Sequence, residues 1–506
     1  MSGKREYGDY QTPIEFAQIV CRYLKEQKQI SPSIVIEPTC GVGNFLRSSL
    51  VFDAKEYYGI EINPEYCRVC RESINDTRVS IINMDVFSFF SRLPIKNNSQ
   101  TLLIGNPPWV TNSALSVLES NNLPKKNNFK HLKGIDAITG ASNFDICEYI
   151  ILRLVNEYRN TDTTICMLCK TSVARNVFME LKKQNVFFSS FEMLNFDATK
   201  VFGINADACV LVMQLSNAHT PLAFCSIYSI NQPGKLTSQL EYKDGQLRNI
   251  MCSSNDDFLG KCCFEWRQGV KHDCSKIMEL SVHGEALYNG QKEEIKIEED
   301  LIFPLVKSSM FKTPIICNFS KYVIVTQKNV REETEHLQRD APRTWEYLSK
   351  NVDLFKKRKS SIYHNAPQFS MFGIGSYSYA KYKVGISGFY KKPIFSILYS
   401  EDKKPVMTDD TSYFICFDTY DMAYVAMLLL NSQRVQKFLT NITFLDAKRP
   451  YTKKVLGNIS FNKIISKLTI DDLLKTEQLL NLPRYVTASK YKNFKTLVLT
   501  GQTSLI

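Results

Sequence analysis

The chain has 506 residues, of which 44% are hydrophobic and 23% charged, with Lys+Arg 63 against Asp+Glu 51 for a formal net charge of +12. That balance excludes wholesale disorder, and the length suits two to four domains with real cores. The positive excess favours a polyanionic partner.

Met1–Tyr10 holds no apolar core for a signal peptide. The longest clean apolar run, Met422 to Leu430, is nine residues, against the roughly 20 needed to span a bilayer, so no membrane association is expected. No collagen-like, heptad or solenoid period is visible. The 15 cysteines lie scattered through apolar segments, which predicts buried reduced thiols in a reducing compartment. Two Cys-x-x-Cys spacings, Cys67/Cys70 and Cys166/Cys169, are about 100 residues apart. A structural zinc site needs its second ligand pair at a short, regular distance, so no metal is expected.

In chain order, Tyr10 to Lys25 has helical periodicity, with Thr12-Pro13 predicted as N-cap and first helical position. Ile34-Val35-Ile36 reads as a strand ending at Glu37-Pro38. Gly41 and Gly43 follow, and then a helix starts at Asn44-Phe45-Leu46. Further strands are Tyr57 to Ile60 ending at Glu61, Val79 to Asn83 ending near Asp85, and Thr101 to Ile104 ending at Asn106-Pro107-Pro108-Trp109. Thr163 to Leu168 and Cys209 to Gln214 are additional candidates. Short strands, apolar on both faces and alternating with helices, predict an α/β fold with a doubly wound, mostly parallel sheet. In such sheets ligands bind at the carboxyl ends of the strands. Four successive strands here end in Glu37, Glu61, Asp85 and Asn106, at intervals of 24, 24 and 21 residues. These observations set the first domain at residues 1–230 and a polar, turn-rich linker at 231–249. A second domain at 250–506, of mixed α+β character, carries the basic clusters Lys356-Lys357-Arg358-Lys359 and Lys448-Arg449-Pro450-Tyr451-Thr452-Lys453-Lys454.

The chemistry follows from the strand ends. Gly41-x-Gly43 lacks the third glycine of the dinucleotide fingerprint, and Glu37 beside it repels a phosphate but suits an ammonium. A ligand with an amino-acid head, a ribose and an adenine fits the three acids: Glu37 on the ammonium, Glu61 on ribose hydroxyls, Asp85 on the adenine amine. Each acid alone reads credibly as a helix N-cap or first-turn residue, a reading that is poor for the three jointly. Asn106-Pro107-Pro108-Trp109 is sharper. Two prolines fix the backbone and remove two donors. The Asn106 side-chain oxygen and the Pro107 carbonyl remain as acceptors that can grip both hydrogens of an exocyclic NH2, localising its lone pair. Trp109 supplies a face on which a base can stack.

These motifs resemble those of the S-adenosylmethionine-dependent DNA adenine-N6 methyltransferases of restriction–modification systems, in the gamma motif order. The likeness covers most of residues 5–215. Tyr10-Gln11-Thr12-Pro13 resembles the N-terminal cofactor motif, Glu37–Leu46 the glycine motif, Gly59–Pro64 the ribose motif and Asn83-Met84-Asp85 the adenine motif. Asn106–Trp109 resembles the catalytic motif, and Val201-Phe202-Gly203 with the following strand a late motif whose Phe packs on the extruded adenine. The resemblance implies a Rossmann-like class I methyltransferase domain using S-adenosylmethionine. It implies cofactor binding by Thr12, Glu37, Pro38, Gly41, Gly43, Glu61, Ile62, Asp85 and Asn106, and catalysis by Asn106, Pro107, Pro108 and Trp109. Trp109 and Phe202 would sandwich the flipped base. Trp stands where Tyr or Phe is commoner, and Cys169-Lys170-Thr171 stands where the family usually has a Pro, so nothing catalytic is carried onto Lys170.

Trp266–Lys271, Phe303–Lys307 and Leu430-Asn431-Ser432 resemble landmarks of the family's target-recognition domain. Double-stranded DNA is the implied partner, with phosphate contacts expected from Lys356, Lys357, Arg358, Lys359, Lys448, Arg449, Lys453 and Lys454. The implied setting is a prokaryotic cytoplasm, nucleoid-associated when DNA-bound, with a possible separate cognate restriction endonuclease. The alternative is methylation of cytosine N4 or of an RNA base by the same fold. Glu294-Ile295-Lys296 matches a nuclease fragment, but such tripeptides are common, no convincing upstream Asp accompanies it, and the cofactor motif begins by residue 10. Nuclease activity is therefore not expected.

Overall fold

The computed structural model describes residues 10–89, 100–110, 145–216, 223–243, 245–251, 257–402, 404–445 and 449–500. The chain divides into two compact units after Met251.

The first unit is built on a ten-stranded sheet. Its strands are β1 (Ile34–Glu37), β2 (Glu56–Glu61), β3 (Val79–Asn83), β4 (Thr101–Gly105), β5 (Thr163–Lys170), β6 (Phe188–Asp197), β7 (Asp207–Leu215), β8 (Phe224–Ser229), β9 (Gln232–Lys243) and β10 (Gln246–Asn249). Their order is β10-β9-β8-β6-β7-β5-β4-β1-β2-β3. The run β5-β4-β1-β2-β3 is parallel throughout, and β7 inserts antiparallel between β5 and β6. Every residue of β1 and β4 is buried. Both faces of these strands are covered, which is why they read as unbroken apolar runs. The described helices are α1 (Ile14–Arg22), α2 (Asn44–Ser49), α3 (Pro64–Ser73), α4 (Val86–Phe89), α5 (Ile146–Glu157), α6 (Thr171–Lys183) and α7 (Ala198–Phe202). The doubly wound sheet expected from the strand alternation is present. Its order reverses at the β1–β4 pair, which opens a crevice at the carboxyl ends of those two strands.

Three sequence expectations change. Pro13, not Thr12, is the N-cap of α1; its carbonyl accepts from the Phe16 and Ala17 amides. Its φ of -56° and ψ of 140° hold it just outside the helix, and α1 runs on into a π turn at Tyr23–Gln27. Residues 231–249 are not a linker. They hold β9 and β10, an antiparallel extension of the sheet beyond β8. An outer hairpin with one wet face needs no apolar run, and Pro233 sits near a strand start where a missing donor is tolerated. β6 was missed because Ser189-Ser190, Asn195 and Asp197 break its apolar pattern, although Phe191–Leu194 are all buried.

The second unit carries two five-stranded sheets. One joins Arg267–Gln268, Ser412–Phe417, Tyr382–Ser387, Ser396–Leu398 and Ile315–Ile316; the other joins Ala286–Tyr288, Glu279–His283, Lys321–Ile324, Ile302–Val306 and Met407–Thr408. The nine-residue apolar run of the sequence lies in a helix, Tyr420–Asn431, that buries every residue from Ala423 to Leu430 against Ile470–Leu479, Ala488–Thr500 and the first of these sheets. No described helix is long and apolar enough to cross a membrane. Lys383 is buried in this unit, where its ammonium donates to the Ser378, Ala380 and Val406 carbonyls.

His272 gives this unit a pH dependence. It is 7% exposed, and its Nδ1 accepts from the Cys274 amide at 3.2 Å, so the neutral ring carries its proton on Nε2, 3.6 Å from Glu279 Oε1. Burial, aided by the Lys307 and Arg358 charges and opposed by Asp273 and Asp409, lowers its pKa to about 4. Between the unfolded value near 6.5 and that native value, the unfolded chain binds the extra proton. Stability therefore falls as pH drops through this window, by on the order of 3 kcal/mol for His272. Melting curves at about pH 7 and pH 4.5 are expected to converge partway in His272→Asn; an unchanged pH slope refutes the assignment.

Candidate active site

The crevice is assembled by three crossings of the chain. The N-terminal segment lies over the loop after β1 and the end of β4. Gln11 Oε1 accepts from the Val42 amide at 3.1 Å, the Thr12 carbonyl accepts from Asn44 Nδ2 at 2.8 Å, and the Tyr10 carbonyl accepts from Asn106 Nδ2 at 2.7 Å. Gly41 and Gly43 have φ of 53° and 82°. A β-carbon at Gly41 would stand 2.4 Å from Gln11 Oε1, and one at Gly43 would stand 2.3 Å from Cys70 Sγ. Only glycine combines that backbone with that packing. Gly105 brings the end of β4 against Glu37, since a β-carbon there would lie 3.3 Å from Glu37 Cγ.

Each of the three acids takes a backbone N–H. Glu37, 3% exposed, accepts from the Leu46 amide in the first turn of α2 at 2.9 Å. Burial pushes its carboxyl well above the usual carboxylate range, with Cys70 and Glu61 adding to the shift and the Leu46 bond opposing it. Glu61 Oε2 accepts from Gly41 N and its Oε1 from Asn63 N, each at 2.8 Å, so it closes the glycine loop onto the end of β2. Asp85 Oδ1 accepts from Phe87 N at 3.0 Å, at the start of α4. The cap reading of these acids is thus correct in part. Glu37 and Asp85 each commit one oxygen to the cap. Ile62, directly after Glu61, is 46% exposed at the strand end, where its backbone is held by Asn83 Nδ2 donating to the Glu61 and Ile62 carbonyls. Pro38 is buried between Glu37 and the glycine loop.

Asn106 has an assigned orientation. Its Nδ2 donates to Tyr10, while its Oδ1 is buried with no hydrogen-bond partner among the described residues. Thr12 Oγ1 and Thr39 Oγ1, in the same segment and loop, are buried without partners as well. Unmade hydrogen bonds of this kind cost about 1–3 kcal/mol each, which a bound polar ligand recovers. An ammonium-bearing nucleoside fits this donor and acceptor set: a buried carboxyl on β1, a second acid at β2, an exposed aliphatic face and an acceptor at β4.

Trp109 is 6% exposed and belongs to an aromatic cluster. Its ring lies 5.5 Å from Phe202 in an edge-to-face arrangement and 6.1 Å from Tyr10, while Phe202 lies 6.1 Å from Phe196. The expected Trp109–Phe202 slot is therefore closed. The two rings touch each other, and a base enters between them only if one swings aside. Tyr10 was missed as a member because nothing in the sequence places the N-terminal segment beside residue 109.

No known family model matches the chain. Its sequence is 37% identical over 480 residues to the Type II methyltransferase M.NspV of a Nostoc species, covering 92% of this chain and 98% of that protein. The chain belongs to the type II methyltransferases. The structure of the Type IIL restriction-modification enzyme MmeI in complex with DNA matches with a TM-score of 0.52 at 13% identity, over 97% of this chain and 76% of that one. The class I methyltransferase fold expected for residues 1–230 accordingly holds for the first unit.

Lys170, which the sequence left without a role, lies beside the Asn-Pro-Pro-Trp turn. Lys170, at the carboxyl end of β5, pairs with Asp145 Oδ2 at 2.8 Å and reaches the Trp109 carbonyl at 3.5 Å. Asp145 caps α5 by accepting from the Cys147 amide, and the adjacent Ile146 amide donates to the Val110 carbonyl. The exit of the Asn-Pro-Pro-Trp turn is thereby tied to two elements.

The basic clusters of the second unit contain both exposed and inward-turned cations. Lys357, Lys359 and Lys454 are exposed and, among the described residues, without ion-pair partners, while Lys356 and Lys453 pair loosely with Asp353 and Glu265. Arg358 turns inward instead of outward. It lies 3.8 Å over the Tyr363 ring and donates to the Phe355, His272 and Ser370 carbonyls. Arg449 stacks 5.1 Å from the Phe389 ring beside Asp410. Lys448 lies outside the described residues.

Proposed function

We propose that this methyltransferase moves a methyl group from S-adenosylmethionine to N6 of an adenine flipped out of duplex DNA, with residues 252–506 supplying target recognition. The observation that carries the reading is the partnerless, buried Asn106 Oδ1, aimed by the Tyr10 carbonyl that holds the other end of its amide. S-adenosylmethionine supplies an electrophilic methyl when bound. Glu37 holds the ammonium, Glu61 the ribose, Ile62 the ring face and Asp85 the adenine amine. Thr12 and the loop at Pro38, Gly41 and Gly43 line the amino-acid end.

Asn106 and the Pro107 carbonyl accept the two hydrogens of the target amine and draw its nitrogen toward tetrahedral geometry. Pro108 keeps that backbone fixed. Catalysis then rests on positioning and on acceptors aimed where positive charge develops. Flipping costs a few kcal/mol, offset by stacking on Trp109 after Phe202 moves away. Enzymatic digestion of DNA methylated by the protein tests the reading directly. N6-methyladenine is the expected product, and N4-methylcytosine alone would overturn the choice of base while leaving the acceptor mechanism.

Lys170 is a positioning residue in this scheme. Removing it alone would leave the largely buried Asp145 carboxylate unpaired, so the informative variant is Lys170→Met combined with Asp145→Asn. We expect turnover to fall about tenfold from loss of alignment, S-adenosylmethionine affinity to stay level, and Lys170→Arg to restore part of the rate. Parent-like single-turnover rates in the double variant would remove Lys170 from the scheme.

A further inference from the structure

The second unit holds a concavity of about 760 Å³ that none of the methyl-transfer chemistry uses. Lys271, Lys307, Lys357 and Lys359 line it with the acids Asp273, Glu279, Asp409 and Asp410, of which Glu279 pairs with Lys307, Asp409 accepts from Thr411 and Ser412, and Asp410 faces Arg449. Two properties distinguish it from an ordinary charged surface.

The first is rigidity. The stretch from Gly269 to Asp273 is bolted in place: a β-carbon at Gly269 would stand 2.2 Å from both the Thr408 and Asp409 carbonyls, and Lys271 exchanges two 2.8 Å backbone hydrogen bonds with Phe372. Asp273 turns the chain with a φ of 49°, a conformation that Asp and Asn tolerate better than other side chains. Arg358, clamped by three carbonyls, pins the segment between Lys357 and Lys359 and leaves those two lysines free at the wall. Lys307 is already committed to Glu279 at 2.7 Å.

The second is the arrangement of charge. A site for phosphate alone has no use for a carboxylate. Here Lys271 Nζ and Asp273 Oδ2 stand 3.5 Å apart, each side chain about one-third exposed. That separation is too long for a closed hydrogen bond, so both groups keep capacity for a ligand. A donor beside an acceptor at this spacing mirrors the major-groove edge of a G·C pair. There guanine O6 accepts and cytosine N4 donates, about 2.9 Å apart across the hydrogen bond that joins them. An A·T edge also shows a donor beside an acceptor, but its two acceptors, adenine N7 and thymine O4, flank the N6 donor, whereas guanine presents N7 and O6 side by side, the pair that Lys favours.

We propose that this concavity is a sequence-reading site: Lys271 and Asp273 recognise a G·C pair of the target duplex through its major-groove edge, while Lys357 and Lys359 hold flanking phosphates. This rests on the DNA-methyltransferase reading and adds to it the residues that set specificity. Phosphate contacts position a duplex and base-edge contacts select it, so the two pairs of residues have separable signatures.

The test uses the full-length protein and a pool of duplexes randomised in sequence, with methylated molecules captured and sequenced. Lys271→Ala and Asp273→Asn, the latter keeping a residue suited to the positive φ, are each expected to relax preference at one G·C position by about ten- to hundredfold. Preference elsewhere in the site should be unchanged. Lys357→Ala with Lys359→Ala is expected to weaken binding to all sequences alike and to reduce the slope of log affinity against log salt by about two. Calorimetric S-adenosylmethionine binding equal to the parent's shows that each variant is folded in its first unit, and an unchanged melting transition shows the same for the second. Folded Lys271→Ala and Asp273→Asn proteins with the parent's sequence profile would overturn the base-reading assignment. An unchanged salt slope in the double lysine variant would overturn the phosphate assignment. If the parent itself transfers no methyl to DNA, the proposed function fails, and the same variants compared by DNA-binding selection still decide the concavity.

Discussion

Replacing Asn106 with alanine is expected to reduce methyl transfer to background, a fall of about 10³, while leaving S-adenosylmethionine and DNA binding near the parent's values. The size follows from the loss of a preorganised acceptor in a dry site, where one such group is worth about 10²–10³ in rate. Retained binding follows from geometry. Glu37, Glu61 and Asp85 are each anchored by backbone amides, those of Leu46, Gly41, Asn63 and Phe87. The variant does release the Tyr10 carbonyl, so Asn106→Asp is the informative companion. It keeps the size but sets a carboxylate oxygen against that carbonyl, which turns the group away from its present aim. A tritiated-methyl transfer assay, with calorimetry for the cofactor and a mobility shift for DNA, separates the outcomes. Full activity in Asn106→Ala would end the acceptor mechanism. Loss of cofactor binding in the same variant would make Asn106 a structural residue of the crevice.

The parts of this site that were legible in the sequence are those that chain-local rules determine. β1 and β4 are buried on both faces, so their apolar runs were unmistakable, and the strand-end rule then brought Glu37, Glu61, Asp85 and Asn106 to one rim. The contacts made across long sequence separations were not legible. Tyr10 meets Asn106 across 96 positions, and no periodicity records which carbonyl a side-chain amide chooses. Lys170 was unreadable for the same reason, because its partner Asp145 precedes α5 on the other side of that strand's loop. Arg358 shows the opposite failure. In sequence it belongs to a run of four cations, but its acceptors are backbone carbonyls, which every residue has and no pattern advertises. The β9–β10 hairpin was read as a linker because Asn231-Gln232-Pro233-Gly234 carries turn chemistry, and an outer strand with one wet face has no apolar signal to oppose it.

Glu37→Gln is expected to stabilise the unliganded methyltransferase and cripple its cofactor site at once. In the free protein the carboxyl is buried against a single amide, and burial raises its pKa well above the carboxylate range. Between the unfolded value near 4.3 and the raised native one, the folded protein keeps a proton that the unfolded chain has released. Stability therefore declines as pH rises through that window. Glutamine, which carries no titratable proton, removes the decline. The variant should melt above the parent at about pH 8, and the two should converge toward pH 4.5. Binding runs the other way. An ammonium beside Glu37 favours the ionised carboxyl, so a proton leaves on binding, and affinity tightens as pH rises toward the native pKa of the free protein. Loss of that charge-assisted contact, worth about 1.5–3 kcal/mol, weakens S-adenosylmethionine about ten- to hundredfold. Calorimetry in buffers of different ionisation enthalpy reads both effects. The parent should show proton release that the variant lacks. Equal affinity and equal proton release in parent and variant would place the ammonium somewhere other than Glu37, and the burial of that acid would then have to be explained by the fold of the glycine loop alone.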